Sequence, residues 1–251
     1  MAETTLEGKV AVIGGGANNL GGLISRDLAR HGADVLVHYH SDDSKADAEA
    51  TVRDIEAMGR KAIPFQADLT EVSNCARLFE TAVSELGRLD VAVNTAGKVV
   101  KKPIVQTDEQ EYDAMFDINT KTAYFFIREA AERMNDDGTI ITIGTSLLAA
   151  FTGQYALYAG SKAPLEHFAR AAAKELGERG ISVTTVAPGP MDTPFFYPAE
   201  SAEAVEYHKS QTMNGKLTKI EDIAPIVRFL ATEGWWITGQ TIFANGGYTT
   251  R

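Results

Sequence analysis

Residues 10–31 read VAVIGGGANNLGGLISRDLARH, and this stretch decides the fold. The first four residues are apolar and mostly β-branched, which predicts a buried strand. The segment 14–22 then holds five glycines, and a predicted helix follows with Leu23 and Leu28 along it. Free backbone N–H groups at such a turn, together with the positive end of the helix, form an anion site. The GxGxxG spacing of many dinucleotide-binding turns is absent here.

Six further apolar or β-branched runs resemble the first strand. The seven runs are KVAVIGG (9–15), ADVLVHY (33–39), KAIPFQAD (61–68), LDVAVNTAG (89–97), GTIITIG (138–144), ISVTTVAPG (181–189) and QTIFANGG (240–247). Segments with the spacing of amphipathic helices lie between these runs. One example has Leu165, Phe168, Ala169, Ala172 and Leu176 on a single helix face. The alternation predicts an α/β, doubly wound Rossmann fold, with a single seven-stranded parallel sheet flanked by helices. An eight-unit barrel is the alternative. We expect one domain over residues 1–251.

Composition narrows the possible partners. The chain has 34 acidic and 24 basic side chains and a net charge of −10, which argues against nucleic acid and anionic membranes. Cys75 is the single cysteine, so an internal disulfide is excluded and a reducing, cytoplasmic location is expected. The first ten residues do not resemble a signal peptide. The uncharged segment 138–161 is long enough to cross a bilayer, but its Thr, Ser, Gly and Gln content favours a buried strand leading into a site.

Several motifs together resemble the short-chain dehydrogenase/reductase family over essentially the whole chain. The TGxxxGxG pattern of the family falls on Gly14, Gly15, Asn19 and Gly21, with Gly14 in place of threonine and Asn19 in place of glycine. Asparagine tolerates the left-handed backbone conformation. Asn94-Thr95-Ala96-Gly97 stands where the family has NNAG, and Asp68-Leu69 follows the third strand. The resemblance implies a dinucleotide cofactor, with these cofactor-binding residues expected in the first half of the chain: Gly14, Gly15, Asn18, Asn19, Leu20, Gly21, Asp68, Leu69, Asn94, Ala96 and Gly97. Asn18 and Asn19 acting only as helix caps is the alternative.

Tyr158 and Lys162 form the strongest chemical signal. A separation of four residues places them on one helix face, where an ammonium group can stabilise a phenolate. A free tyrosine has a pKa of about 10, so action near neutrality requires about 4 kcal/mol of preferential phenolate stabilisation. One lysine seldom supplies that alone, and the positive ring of an oxidised nicotinamide would add to it.

The resemblance adds a carbonyl-polarising hydroxyl and an asparagine to this pair. Gapless spacing selects Thr145, thirteen residues before Tyr158, while residue type selects Ser146; either would stabilise a developing alkoxide. Asn119 matches the family's helix asparagine, which holds a water that relays protons to Lys162. Pro164 departs from the pattern, because a proline this close to Lys162 removes a helical hydrogen bond and predicts a kink.

The end of the second strand, HYHSDD, bears on the choice of cofactor. Tyr39 stands where an NAD-preferring member carries aspartate, and His40 and Ser41 stand where NADP-dependent members often carry Arg and Ser. We therefore expect NADP(H) to be favoured over NAD(H). A metal site at His38 and His40 is disfavoured, because no third ligand is apparent. No metal is expected.

The segment PGPMDT, residues 188–193, fits the family's PGxxxT turn. By resemblance, Pro188, Gly189, Met191 and Thr193 bind the cofactor, as do Tyr158 and Lys162. Residues 190–216 would form a substrate lid, with a subunit contact as the alternative. Phe151, Thr152, Gln154 and the segment GKVVKKP (97–103) are further candidate pocket positions.

The implied activity is an NAD(P)-dependent reduction of a carbonyl compound to a secondary alcohol, or the reverse. Tyr158 would be the general acid/base. A homo-oligomer, either a tetramer or a dimer, is expected through the helix at 165–176 and the last strand. A non-catalytic dinucleotide sensor and a lyase or epimerase on the same scaffold are the alternatives.

Overall fold

The computed structural model describes residues 5–250 and contains one seven-stranded parallel sheet. All seven predicted strands are confirmed. They are β1 (Val10–Gly14), β2 (Asp34–Tyr39), β3 (Ala62–Gln66), β4 (Val91–Asn94), β5 (Thr139–Ile143), β6 (Ser182–Pro188) and β7 (Thr241–Ala244).

Helices connect these strands. They are α1 (Asn19–Arg30), α2 (Lys45–Ala57), α3 (Val72–Leu86), α4 (Glu109–Phe116), α5 (Thr122–Arg133), α6 (Ala156–Lys162), α7 (Pro164–Glu175), α8 (Ala202–Ser210) and α9 (Ile220–Ala231). A single π-helical turn at Asp117–Lys121 joins α4 to α5.

The strand order is β3-β2-β1-β4-β5-β6-β7. The chain therefore adds β2 and β3 on one side of β1. It then returns to the other side of β1 with β4, and β5, β6 and β7 follow outward from there. In an open α/β sheet, ligands bind beside the carboxyl ends of the strands where the order reverses. The structure has this reversal between β1 and β4, directly beside the glycine-rich turn.

Apolar side chains cover both faces of the sheet. On one face Ile24, Ile55 and Val227 bring α1, α2 and α9 against the strands. On the other, α3, α5 and α7 pack, with the rings of Phe79 and Phe126 in edge contact at 4.8 Å. The strands read as continuous apolar runs because both of their faces are buried.

The uncharged segment 138–161 forms β5, a 3-10 turn at Ser146–Ala149 and the start of α6, as the sequence predicts. Within residues 5–250 the structure has no helix with the length and apolar character needed to cross a bilayer.

Pro164 has a milder effect than the predicted kink. It occupies the first position of α7, where its missing N–H costs little. Ala163, between α6 and α7, keeps helical dihedral angles of φ −58° and ψ −38°. The chain is divided into two helices at this point, and Lys162 becomes the last residue of α6.

Candidate active site

A cavity of about 290 Å³ lies at the carboxyl ends of β1, β4, β5 and β6. The glycine-rich turn forms one end, and segment 190–216 covers the other. Residues predicted for the site that line this cavity are Gly15, Asn18, Asn19, Leu20, Gly21, Ala96, Gly97, Thr145, Ser146, Tyr158, Lys162, Pro188, Gly189, Met191 and Thr193.

The glycine-rich turn needs small residues because its backbone folds back on itself. Gly15 has φ +74°, and a Cβ atom on Gly21 would lie 2.0 Å from the Gly15 carbonyl oxygen. Asn19 has φ +46°, which confirms that asparagine takes the left-handed conformation at this position. The turn therefore keeps its tight course although Asn19 replaces the family's glycine.

His38 holds this turn from the neighbouring strand. Its Nδ1 accepts a hydrogen bond of 2.9 Å from the Gly15 N–H, and its Nε2 donates to the Ala67 carbonyl at 3.0 Å. Burial lowers the pKa of His38 to about 4, so the ring is neutral. Both ring nitrogens are bonded, which gives His38 a structural role. The Gly15 N–H, expected to face an anion, is directed at His38 instead.

Asn18 stands at the N-cap of α1 but makes no capping hydrogen bond through its side chain. Its amide donates to Asp47 of α2 at 2.7 Å, and the Asn19 amide donates to Asn18 at 3.3 Å. The interpretation of these asparagines as simple side-chain caps does not fit this geometry, and both residues lie on the cavity wall.

Two predicted cofactor residues, Gly14 and Asn94, lie on adjacent strands behind the cavity wall. They pair with each other across β1 and β4, and the Asn94 Oδ1 accepts the Ala96 N–H at 3.0 Å. A Cβ atom on Gly14 would meet Phe126 at 3.0 Å. The prediction that Gly14 contacts the cofactor is therefore not matched by the cavity, because this residue is packed against the core.

His40, Ser41, Asp68 and Leu69 lie beyond this cavity, at the ends of β2 and β3. The His40 side chain is 65% exposed, with Nδ1 4.0 Å from Asp68 Oδ1. Burial of Asp68 opposes its ionisation, yet hydrogen bonds from the Thr70 N–H and hydroxyl hold its pKa below the usual value. Leu69 is buried, and its carbonyl accepts from Thr122 at 3.1 Å. These four residues can contact only a ligand that extends beyond the glycine-rich turn.

Tyr158 lies at the inner end of the cavity, close to the side chain of Thr145. Burial raises the pKa of Tyr158 to about 12, although the Thr145 hydroxyl partly offsets this. The adjacent Ser146 is also buried and lines the cavity. In this structure Tyr158 is a protonated phenol, suited to donating a proton rather than accepting one.

Lys162 is buried beside Tyr158 on α6 and donates from Nζ to the Ile143 carbonyl at 2.9 Å. Desolvation lowers the pKa of Lys162 to about 8. Burial therefore dominates the pKa values of both Tyr158 and Lys162, in keeping with the expectation that one lysine does not bring the phenol towards neutrality alone.

Asn119 lies in the π-helical turn and is 1% exposed, so a solvent-facing role is excluded. Its amide nitrogen donates to the Lys98 carbonyl at 2.9 Å and to Ser161 Oγ at 3.0 Å, and its oxygen accepts the Lys98 N–H at 3.0 Å. π-helical turns are frequent at functional sites. Here the turn lets the Asn119 side chain join the loop after β4 to helix α6.

The turn after β6 places Thr193 against the cavity. Its Oγ1 is buried and has no hydrogen-bond partner among residues 5–250. A buried hydroxyl without a hydrogen-bond partner destabilises the protein. We therefore expect a polar group of a ligand to supply the missing partner of Thr193. The geometry fits a carboxamide or similar group bound beside Met191 and Thr193.

Three predicted pocket positions are wrong. Phe151 is fully exposed to solvent, and Thr152 and Gln154 are likewise exposed, with Gln154 bent away at φ +67°. The 97–103 segment is partly confirmed, since Gly97 and Val99 line the cavity. Further wall residues fall in the segment predicted as a lid: Pro190, Phe195, Phe196, Ala199, Glu200 and His208. Wall residues that were not predicted individually are Thr95, Ile143, Gly144, Leu147, Tyr155 and Tyr248. No local pattern marks them, because distant segments bring them together.

Comparison with known proteins places this architecture in one family. A family model described as enoyl-(acyl carrier protein) reductase matches residues 15–249. A short-chain type dehydrogenase/reductase from Picea abies is 38% identical, over 96% of this chain and 93% of that protein. The chain belongs to the short-chain dehydrogenase/reductase family.

Solved structures extend the comparison to bound nucleotides. A protein from Burkholderia cenocepacia, described as a dehydrogenase and solved with bound NADP, is 56% identical, with a TM-score of 0.97 over 100% of this chain and 97% of that one. A blue fluorescent protein from a metagenomic library, in complex with NADPH, is 35% identical, with a TM-score of 0.93 over 98% of this chain and 100% of that one. This protein is an NAD(P)-dependent oxidoreductase.

Proposed function

We propose that this enzyme is a carbonyl reductase that prefers NADP(H) and uses Tyr158 as its general acid. The observation that carries the proposal is that Tyr158, Thr145 and Lys162 together line the inner end of a cavity that begins at the glycine-rich turn. Oxidation of NADPH by a panel of aldehydes and ketones, followed by absorbance, tests it. A protein that binds NADPH but oxidises none of it would instead be a sensor.

The cavity suits a nicotinamide cofactor at its inner end. Thr193 and the backbone near Met191 would hold the carboxamide, with Pro188 and Gly189 shaping the turn beside it. Backbone groups at Asn19 to Gly21 and the positive end of α1 would face the phosphates. When bound, the nicotinamide supplies or accepts the hydride.

The remaining chemistry belongs to this chain's side chains. Thr145 would donate a hydrogen bond to the substrate oxygen as negative charge develops there. Tyr158 would donate its proton to the same oxygen, and the Lys162 ammonium would stabilise the resulting phenolate. Asn119 would keep the loop at Lys98 aligned with α6 and so support proton relay to Lys162.

The reduction rate should fall as the pH rises above about 8. Desolvation lowers the pKa of Lys162 to about 8, while that of Tyr158 is raised to about 12. Loss of the ammonium charge therefore precedes loss of the phenolic proton, and the phenolate formed in the reaction loses its stabilising charge. We expect a plateau near neutrality and a decline on the alkaline side in initial rates with saturating NADPH.

A Lys162→Met variant is the control for this profile. It should be slow throughout and lack the alkaline decline near pH 8. If the wild-type rate remained level to about pH 10, the ammonium charge would not be needed for reduction.

His40 is the basic residue that we propose to favour NADP(H) over NAD(H). Its exposed imidazole lies at the end of β2, where the family distinguishes the two cofactors. An imidazole there can donate a hydrogen bond to a 2′-phosphate, which should strengthen binding by about two- to fivefold at such an exposed position. His40→Ala should therefore weaken NADPH binding by about that factor and leave NADH binding unchanged, in fluorescence titrations.

His167→Ala, which removes an exposed histidine on α7, should bind both cofactors as the wild type does and serves as the matched control. An unchanged NADPH affinity in His40→Ala would exclude His40 from the 2′-phosphate site.

We further propose that segment 190–216 acts as a substrate lid and that the chain forms a homo-oligomer in the cytoplasm. Phe195 and Phe196 of this segment line the cavity, which supports the lid.

Tyr124 on α5 is half exposed and packs against Phe168 on α7 at 5.1 Å, which supports a subunit contact on these helices. Cys75 is buried and free, in keeping with a reducing environment.

A further inference from the structure

A buried ionic cluster at the outer end of the cavity connects the proposed lid to the rest of the protein. The Glu200 side chain is 0% exposed, and its Oε2 lies 2.5 Å from the Lys101 Nζ and 3.4 Å from the His208 Nε2. Its Oε1 accepts the hydroxyl of Tyr155. The Tyr248 hydroxyl lies 2.9 Å from the His208 Nδ1. We call these five residues the Glu200 cluster.

The middle of the lid, residues 193–212, has few other polar attachments. At the two ends of the lid, backbone hydrogen bonds of 2.8 to 2.9 Å join it to Thr218 and Gly246. Between these ends, the hydrogen bonds and ion pairs that link residues 193–212 to the rest of the described chain run through Glu200 and His208. Glu200 and its partners therefore carry the polar attachment of the lid.

Apolar packing contributes little to closing the lid. Within residues 193–212 no apolar residue is buried, and Phe195, Tyr197 and Tyr207 are each at least 40% exposed. A second cavity separates Pro198–Ala199 from the 97–101 loop, so the lid does not pack flat against that loop. A segment with few buried apolar contacts opens locally at a small cost in free energy. The closed position of the lid therefore depends on the Glu200 cluster.

The charges of Glu200 and Lys101 compensate each other while the lid is closed. The Lys101 Nζ also lies 5.3 Å from the centre of the Tyr155 ring, within cation–π range. Burial lowers the pKa of His208 more than neighbouring Glu200 raises it, so the imidazole is neutral near pH 7. If either charge of the pair were removed, the other would be left buried and uncompensated, which is strongly destabilising. Opening of the lid would bring that charge into water, so a single substitution should favour the open lid.

Tyr155 connects the cluster to the wall that carries the proposed general acid. The Tyr155 carbonyl accepts the Ala159 N–H at 2.8 Å in the first turn of α6. The rings of Tyr155 and Tyr158 lie 6.4 Å apart. Phe195 and Phe196, which line the cavity from the lid, lie just before Glu200 in the chain. One carboxylate thus aligns both the lid and the start of α6 beside the cavity.

We propose that Glu200 is a positioning residue, which holds the lid closed over the cavity through the Glu200 cluster. Release of this cluster opens the path by which cofactor and substrate enter and leave. Glu200 acts through the lid and contacts neither the substrate nor the cofactor. This inference rests on the lid of the proposed function.

Hydrogen exchange in the protein without cofactor tests the role of Glu200. Glu200→Gln keeps the shape and an acceptor oxygen but leaves the Lys101 charge uncompensated. Amides of residues 202–212 should exchange about 10- to 100-fold faster than in the wild type, whereas those of α1 and α5 should keep their wild-type rates. Loss of overall stability would instead accelerate exchange in every helix, and that result would overturn the proposal.

Glu203→Gln is the matched control, since it removes an exposed glutamate from the same lid and should leave exchange unchanged. Lys101→Met should act in the same direction as Glu200→Gln. The double variant Glu200→Gln/Lys101→Met should lie closer to the wild type than either single variant, because no buried charge remains uncompensated. If Glu200→Gln does not fold, Tyr155→Phe decides the matter: loss of one hydrogen bond should accelerate lid exchange about three- to tenfold. Wild-type lid exchange in the folded variants would contradict the proposal.

The rate of NADPH dissociation gives a second measurement. In stopped-flow experiments with excess NADP⁺ as the chase, Glu200→Gln should release NADPH faster by a factor similar to that of lid exchange, because lid opening precedes release. Unchanged release in spite of faster exchange would exclude the lid as the gate for the nucleotide.

Neither measurement requires turnover, so the cluster and the proposed function can fail separately. A protein that reduces no ketone but shows accelerated exchange confined to the lid has the Glu200 closure and lacks carbonyl reductase activity. A protein that reduces ketones while Glu200→Gln leaves lid exchange unchanged has the activity, and the role of Glu200 is then refuted.

Discussion

Tyr158→Phe should reduce the turnover number by about 100- to 10 000-fold, the range expected for loss of a general acid. The aromatic ring that forms the cavity wall is retained, while the proton held at Oη is removed. NADPH affinity should therefore remain close to that of the wild type. Steady-state oxidation of NADPH and titration of its fluorescence measure the two quantities separately.

Tyr112→Phe is the matched control for this substitution. It removes a phenol from a half-exposed ring on α4 that stacks on Phe116, and the rate should be unaffected. Full activity in Tyr158→Phe would refute the assignment of the general acid. Loss of NADPH binding together with turnover would indicate a structural role instead.

Thr145→Val should lower kcat/KM by about 100- to 1000-fold, as expected when a donor to the developing oxyanion is lost. Valine preserves the shape of threonine but has no hydroxyl to donate to the substrate oxygen or to Tyr158. Ser146→Ala should reduce kcat/KM far less, because the hydroxyl that lowers the pKa of Tyr158 is that of Thr145. Kinetics of the two variants on one ketone provide the comparison.

The reverse order of effects would assign the carbonyl donor to Ser146. Equal, large losses in both variants would mean that the two hydroxyls act together on the substrate oxygen. The sequence left this choice open, because spacing selected one residue and residue type selected the other.

Local patterns were sufficient to predict the sheet and the inner end of the cavity. The central strands β1, β4, β5 and β6 are buried along their whole length, and the left-handed conformation of Asn19 follows from the turn in which it lies. The separation of four residues between Tyr158 and Lys162 places them together on α6, as expected. These features depend on residues close in sequence, whose relative positions the backbone geometry determines.

The outer end of the cavity could not be predicted in this way. Contacts of Glu200 with Lys101 and Tyr155, and of His208 with Tyr248, join residues 40 to 99 positions apart, and none has a distinctive sequence context. Phe151 is the opposite case. This aromatic residue near Tyr158 was predicted to line the pocket, but its side chain is exposed. The pKa of Tyr158 also depends on three-dimensional burial, which residue spacing alone does not reveal.

Burial of His38 sets a lower limit on the pH that the fold tolerates. In the unfolded chain a histidine has a pKa of about 6.5, whereas burial lowers that of folded His38 to about 4. As the pH falls through this interval, the unfolded chain takes up a proton that the native protein excludes. Full stability is therefore retained above about pH 6.5, and about 3 kcal/mol is lost by pH 4. Protonation of Nδ1 would also remove the acceptor for the Gly15 N–H, so acid would disrupt the nucleotide turn and the sheet edge together.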